Sequence, residues 1–190
     1  MQGLVEIRWH ARAGQGAVTA SQLIAETALE EGKFMQSMPE YGPERTGAPL
    51  RAYTRVSDEP IEIHNNVTHP DIVIILDDTL IELTDVLEGI KPNGKILVNT
   101  RLCKEDMEEK LGCSEGIEVA VVPATDIALD TIGRDIPNAP IAGALSKFTE
   151  LISLDNLLDH VERSFSEKFS QQVVQGNLES IQMAYEDVSY

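Results

Sequence analysis

Two loops of this sequence carry residue types suited to an anionic small molecule. The first is Arg12-Ala13-Gly14-Gln15-Gly16, between a β-branched, aromatic segment and an alanine-rich one. A strand, a glycine turn and a helix of small residues present unpaired backbone N–H groups at the positive end of the helix dipole, and glycine lets an anion approach them closely. Gly14 and Gly16 supply that freedom and Arg12 adds a fixed charge. The turn is neither a Rossmann GxGxxG nor a Walker motif, because the lysine and following Ser or Thr of a P-loop are missing. It serves equally well as a tight turn for strand–helix contact. The second loop is Glu40-Tyr41-Gly42-Pro43-Glu44-Arg45-Thr46-Gly47-Ala48-Pro49. There Arg45, Thr46 and Gly47 combine a guanidinium fork with a hydroxyl, a pairing that suits phosphate oxygens. The alternative is that Glu44 and Arg45 are solvated loop charges. Asn138, at the start of a helical stretch, has the residue type of an N-cap. Asp77 and Asp78, at the end of an apolar run, cap a following helix or face the same edge. Met183 and Tyr185 read as contact surface on a helical tail.

Other chemistries find little support. Cys103 and Cys113 are the two cysteines, too few for the four thiolates of an ordinary iron–sulfur cluster and not a CxxC pair. His10, His64, His69 and His160 show neither HExxH nor paired zinc spacing, so no metal site is expected. The 32 acidic and 15 basic residues give a net charge of -17, which disfavours binding along a nucleic-acid backbone. The excess is uneven: eight acids and six bases lie in residues 1–60, and the rest of the chain carries 24 acids and nine bases. An anionic ligand is therefore repelled least by the first third, while the later acids keep helices solvated. Glu6, Arg8 and Arg12 interrupt any leader-like apolar run, and no apolar stretch reaches the ~20 residues of a membrane span. A cytoplasmic protein with reduced thiols and no membrane partner is the expectation.

Periodicity supplies the framework on which these loops are mounted. Residues 4–10 read as a strand and 17 to about 30 as a helix stopped by Gly32. Residues 34–38 are extended, 39–49 form a loop, and 50–56 alternate as a strand whose hairpin partner would be 61–64. The run at 71–78 has an unbroken apolar centre, the mark of a strand buried on both faces in a parallel sheet. Helix 79–87, strand 95–99, helix 104–111 and strand 118–122 continue the alternation. Helices at 126–131, 141–152, 154–165 and 169–185 complete the chain. The predicted fold is α/β: an open, Rossmann-like, mostly parallel sheet flanked by helices, with a helical C-terminal tail. At 190 residues, without repeats or a long linker, one domain spanning 1–190 is expected.

These residues also carry a family resemblance. Trp9-His10-Ala11-Arg12-Ala13-Gly14-Gln15-Gly16, followed by Tyr41-Gly42-Pro43-Glu44-Arg45-Thr46-Gly47-Ala48-Pro49, resembles the gamma subunits of the 2-oxoacid:ferredoxin oxidoreductases, most of all the pyruvate-using ones. Asn138-Ala139-Pro140 before a Gly-Ala helix fits as well, whereas Ala11 and Ala13 stand where that family usually has glycine. The resemblance implies a subunit of an assembly with alpha, beta and delta chains. It places thiamine diphosphate with its Mg2+ between alpha and beta, and [4Fe-4S] clusters on beta and delta. It further implies coenzyme A-dependent oxidative decarboxylation of a 2-oxoacid, with ferredoxin as electron acceptor and no catalytic acid, base or nucleophile on this chain. By position, Arg12, Gly14, Gln15, Gly16, Arg45, Thr46, Gly47 and Asn138 would contact coenzyme A at the active-site entrance. The Gly-Ala-Pro ending leans, by the same resemblance, towards pyruvate or branched-chain oxoacids. Two other readings compete. One is a free-standing dinucleotide-binding oxidoreductase with Glu40 on a ribose, and the other is a scaffold subunit whose loops touch only other subunits.

Overall fold

Alternation of side chains along a strand decides which face each residue joins, and the two faces of this sheet have different chemistry. A computed structural model describes residues 3–40 and 47–190. Its strands are β1 (Val5–Arg12), β2 (Phe34–Pro39), β3 (Pro49–Ser57), β4 (Ile72–Ile75), β5 (Lys95–Asn99) and β6 (Glu118–Val122). They form one six-stranded sheet in the order β2-β3-β1-β4-β5-β6. Pairings β1–β4, β4–β5 and β5–β6 are parallel, and β1–β3 and β2–β3 are antiparallel. The helices are α1 (Ala17–Glu30), α2 (Lys104–Leu111), α3 (Ala124–Ile132), α4 (Asn138–Thr149), α5 (Leu154–Ser166) and α6 (Gln171–Asp187).

Ile7, Trp9 and Ala11 of β1 and Ile72 and Ile74 of β4 face one core with α1, α3, α4, α5 and α6. Val73 and Ile75 of β4 face a second core, with Ile96 and Val98 of β5, Val86, and Met107 of α2. The strand at 72–75 is thus buried on both faces, as its apolar run predicts. Over β1 and β3 that second face turns polar. Arg8 and Arg55 are 2% and 1% exposed, and His10 is equally hidden. Arg8 donates from Nε to His10 Nε2 (3.0 Å) and from a terminal nitrogen to the Val86 carbonyl (3.1 Å). Arg55 donates to Glu6 (3.0 Å), to the Ile63 carbonyl (3.3 Å) and to Asn65 (3.2 Å).

Arg55 also accounts for the main correction to the predicted elements. Residues 61–64 are not a strand, because both edges of β3 are occupied by β1 and β2. The segment instead crosses the sheet face, held by the buried guanidinium. The antiparallel partner is the extended segment at 34–38, which reaches Pro39. The predicted helix at 79–87 is only a 3-10 turn, Asp78–Glu82. Leu80 and Val86 are buried in the second core with Ile81 and Leu87 packed against it, while Leu83 stays exposed, so the segment meets the core without a continuous helix. Helix α4 starts at Asn138 rather than 141, since Pro140 falls in the first turn, where its missing N–H leaves no helical bond unmade. The tail ends on a bridge between Ser189 and Val121 beyond α6.

Gly143 explains the small residues of α4. A Cβ there would overlap the Ile181 carbonyl oxygen of α6, so the two helices touch through backbone. Gly143→Ala is expected to lower stability by about 1–3 kcal/mol, the usual range for overpacking, read from the urea midpoint. His10 gives the fold a pH dependence. Burial, reinforced by Arg8 and Arg51, pushes it down to about 3. The unfolded chain therefore binds a proton that the folded chain refuses between about pH 6.5 and 3, and stability drains across that window as pH falls. His10→Gln should show a shallower loss of unfolding midpoint between pH 7 and 4 than the parent chain.

Candidate functional site

In open α/β sheets, ligands bind beyond the carboxyl ends of the strands, where neighbouring crossovers leave towards opposite faces. Here that point lies between β1 and β4. The chain leaves β1 into α1 on one face, and leaves β4 into the 3-10 turn on the other. The first predicted loop sits at this switch point.

Strand register determines which side chains meet there. Ile7 pairs with Ile72 and His10 with Ile75, and the Leu76 N–H continues the ladder to the His10 carbonyl at 2.8 Å. Two residues further, Arg12 and Asp77 come side by side, and Arg12 Nε donates to Asp77 Oδ2 at 3.0 Å. The same guanidinium donates to the Gly47 carbonyl (3.1 Å) and to Thr79 Oγ1 (2.7 Å). Gln15 closes the turn. Its Oε1 accepts the Arg12 N–H at 2.8 Å and its Nε2 donates to Asp77 Oδ2 at 2.9 Å. Burial raises the Asp77 carboxyl, but bonds from Thr79 and Gln15 and the Arg12 charge more than offset this and hold it below its ordinary value. The carboxylate therefore stays ionised, paired with Arg12.

The antiparallel side supplies the other wall. Beyond the paired Arg12 and Pro49, Ala13 N–H donates to the Ala48 carbonyl and Gly47 N–H to the Ala13 carbonyl, both at 2.9 Å. Gly47 is thus laced to the glycine turn. Gly14 has φ 106° and is exposed, while Gly16 has φ 83° and occupies the N-cap position of α1. No side chain caps α1, and its first turn holds no acidic residue. Its leading N–H groups are therefore left without the side-chain partner a cap would provide. Asn138 lies against Gly16, where a Cβ would stand 3.0 Å from the asparagine Cβ. Asn138 is the first helical residue of α4 rather than its N-cap, and its Oδ1 accepts the Ala139 N–H at 2.8 Å.

Of the eight residues expected to share a site, the structure brings Arg12, Gly14, Gln15, Gly16, Gly47 and Asn138 to one edge. Arg45 and Thr46 lie outside the described residues. Thr79 and the full part played by Asp77 escape motif reading. The usable signal is the register: two parallel strands whose partners differ by a constant 65 positions set Asp77 beside Arg12. Next to the turn, a cleft of about 500 Å³ runs over the ends of β4 to β6, lined by Gln15, Asp77, Asp78, Thr100, Arg101 and Asp126. Asn99 braces its floor, donating to the Leu76 carbonyl and to Thr125 Oγ1, both at 2.9 Å. Glu40, the candidate ribose partner, immediately follows β2. It lies two strands away from the turn, with its carboxylate accepting the Tyr53 hydroxyl at 2.7 Å. That placement does not suit a dinucleotide on the β1 turn. Among the described residues, no group of three or more His, Cys, Asp or Glu is placed to hold a metal, and no helix is long and apolar enough to cross a membrane.

A family model described as pyruvate ferredoxin/flavodoxin oxidoreductase matches residues 6–187. Pyruvate synthase subunit PorC of Thermotoga maritima is 46% identical over 183 residues, covering 96% of this chain and 94% of that protein. A crystal structure of the Thermotoga maritima pyruvate oxidoreductase subunit PORC has a TM-score of 0.86 at 43% identity, covering 99% and 98% of the two chains. The pyruvate/ketoisovalerate oxidoreductases common subunit gamma of Thermococcus kodakarensis is 44% identical over 163 residues, covering 86% and 88%. A 2-oxoglutarate:ferredoxin oxidoreductase from Magnetococcus marinus, solved with 2-oxoglutarate, coenzyme A and succinyl-CoA bound, shares the fold. Its TM-score is 0.78 at 18% identity, over 98% of this chain and 31% of that one.

The contact between Gly16 and Asn138 yields a stability test. Gly16→Ala combines a left-handed φ with a crowded Cβ and should cost about 1–3 kcal/mol. Asn138→Ala in the same chain should return only a small part of it, because the Cγ and Nδ2 contacts go while the 3.0 Å Cβ contact and the backbone strain remain. Urea unfolding of the single and double variants checks both.

Proposed function

This chain belongs to the pyruvate ferredoxin/flavodoxin oxidoreductase family, as the gamma subunit of a pyruvate:ferredoxin-type oxidoreductase, and on that basis we propose that it supplies the coenzyme A-contacting wall of the active-site entrance. The observation that carries the reading is the uncapped N-terminus of α1 behind an exposed glycine turn at the sheet's switch point, beside a charge-fixed arginine. A helix end of this kind receives phosphate oxygens through backbone N–H groups. Gly14 and Gly16 approach the ligand with backbone amides, whereas the Gln15 N–H, also expected there, is taken by the Arg12 carbonyl at 3.1 Å. Arg12 and Arg45 meet phosphate charge, Thr46 and Gly47 line the same wall, and Asn138 closes it from α4. A neighbour of the same fold was solved with coenzyme A bound, which supports the choice of ligand.

The wider reaction is coenzyme A-dependent oxidative decarboxylation of a 2-oxoacid, pyruvate foremost, with ferredoxin reduced. Alpha, beta and delta subunits are the partners in this reading. Thiamine diphosphate with Mg2+ and the [4Fe-4S] clusters sit on those subunits. The two cysteines here cannot furnish the four thiolates of a cluster by themselves. When bound, thiamine supplies the carbanion chemistry, and this chain contributes position and electrostatics for the acyl acceptor. The assembly works in the cytoplasm, and the chain acts as one domain.

Arg45→Ala in the assembled oxidoreductase should raise the Michaelis constant for coenzyme A about tenfold, as loss of a charge-assisted phosphate contact implies, and leave that for pyruvate within twofold. An unchanged coenzyme A constant accompanied by weakened subunit association would instead assign the loop to assembly.

A further inference from the structure

Arg12 has five N–H donors in a planar fork. Among the described residues three are used: Nε on Asp77, one terminal nitrogen on the Gly47 carbonyl and the other on Thr79 Oγ1. Each terminal nitrogen therefore keeps one further N–H, and the side chain remains 27% exposed. Asp77 grips the fork by its stem side, where it cannot compete for the end that a ligand would use. Its Oδ2 also takes the Gln15 amide at 2.9 Å, and the opposite end of that amide takes the Arg12 backbone N–H. Its other oxygen, Oδ1, accepts the Thr79 N–H at 3.1 Å and the Thr79 hydroxyl. One carboxylate thus fixes the arginine, the glutamine, the turn between them and the threonine across from them.

From this geometry we infer that Asp77 is a positioning residue for coenzyme A. By holding Arg12 and Gln15 in a single arrangement, it keeps the glycine turn open to the ligand phosphates. The inference rests on the proposed coenzyme A contact at this edge. Asp77 itself carries the wrong charge to meet a phosphate, and it pairs with Arg12. Its contribution is order: without it the long arginine side chain must be immobilised when the ligand arrives, at a cost in affinity. A carboxylate that merely capped the 3-10 turn would bond Thr79 alone, and Asp77 turns a whole oxygen towards β1 instead.

The test uses the assembled oxidoreductase with pyruvate and coenzyme A, together with calorimetric binding of coenzyme A to the same complex. Asp77→Ala should raise both the Michaelis and dissociation constants for coenzyme A about tenfold, as misplaced binding groups do. The pyruvate constant and kcat at saturating coenzyme A should stay within twofold. Asp77→Asn, which keeps the size and loses the charge, should shift coenzyme A affinity in the same direction, and it decides the matter if the alanine variant fails to assemble. In an enzyme already carrying R12A and Q15A, adding D77A should change coenzyme A affinity less than twofold, because the groups it positions are gone. A full tenfold effect in that background, or a D77N enzyme with parental coenzyme A affinity while R12A weakens it, would overturn the positioning role and leave the coenzyme A reading standing. If R12A, Q15A and R45A all bind coenzyme A as tightly as the parent, the reading itself fails, and the role of Asp77 with it.

Discussion

The parallel pairing of β1 with β4 governs everything at the rim of this molecule. The apolar run of β4 is flanked by Asp71 and Asp77, so a one-residue slip would put one of these carboxylates in the buried place of Ile72 or Leu76. The flanking carboxylates thus hold the register, and the register sets Arg12 beside Asp77. Because the crossovers on either side of this pair depart to opposite faces, the edge above it is left open. A packing requirement deep in the sheet therefore determines where an arginine, a glutamine and a helix end converge at its rim.

Charge is distributed in keeping with this. The chain is strongly acidic, yet the polar face over β1 and β3 carries Arg8, Arg51 and Arg55 with His10, and the rim above it carries Arg12. His10 is kept neutral and accepts from Arg8, so it relays no charge to the rim. Arg55 is consumed by Glu6 and by the crossing segment near Ile63. The buried cations are structural ties, whereas the arginine of the turn keeps unused donors at the solvent-facing edge.

Much of this is legible in the sequence, and the omissions have physical causes. The double-faced burial of β4 shows as an unbroken apolar run, and α2, α5, β5 and β6 fall within a residue or so of where periodicity puts them. The strand partner of β3 does not show, because 34–38 and 61–64 offer similar short extended patterns. What separates them is the buried Arg55, a tertiary contact without a local signature. The short 3-10 turn after β4 reads as a helix because Leu80, Leu83 and Leu87 recur at helical spacing, although only Asp78–Glu82 winds and Leu83 stays exposed. At the rim, Gly14, Gln15 and Gly16 can be found from local spacing alone. The tie from Arg12 to Asp77 spans 65 positions and becomes visible only once the strands are paired. The Gly-Ala stretch of α4 carries the family likeness, yet Gly143 owes its place to backbone contact with α6.

The decisive measurement is a structure of the assembled oxidoreductase with coenzyme A bound and no oxoacid present. Ligand phosphate oxygens are expected within hydrogen-bonding distance of the backbone N–H groups that open α1, with Arg12 still paired to Asp77. Coenzyme A seated on other subunits, with residues 12–18 of this chain untouched by it, would contradict the role proposed for the glycine turn.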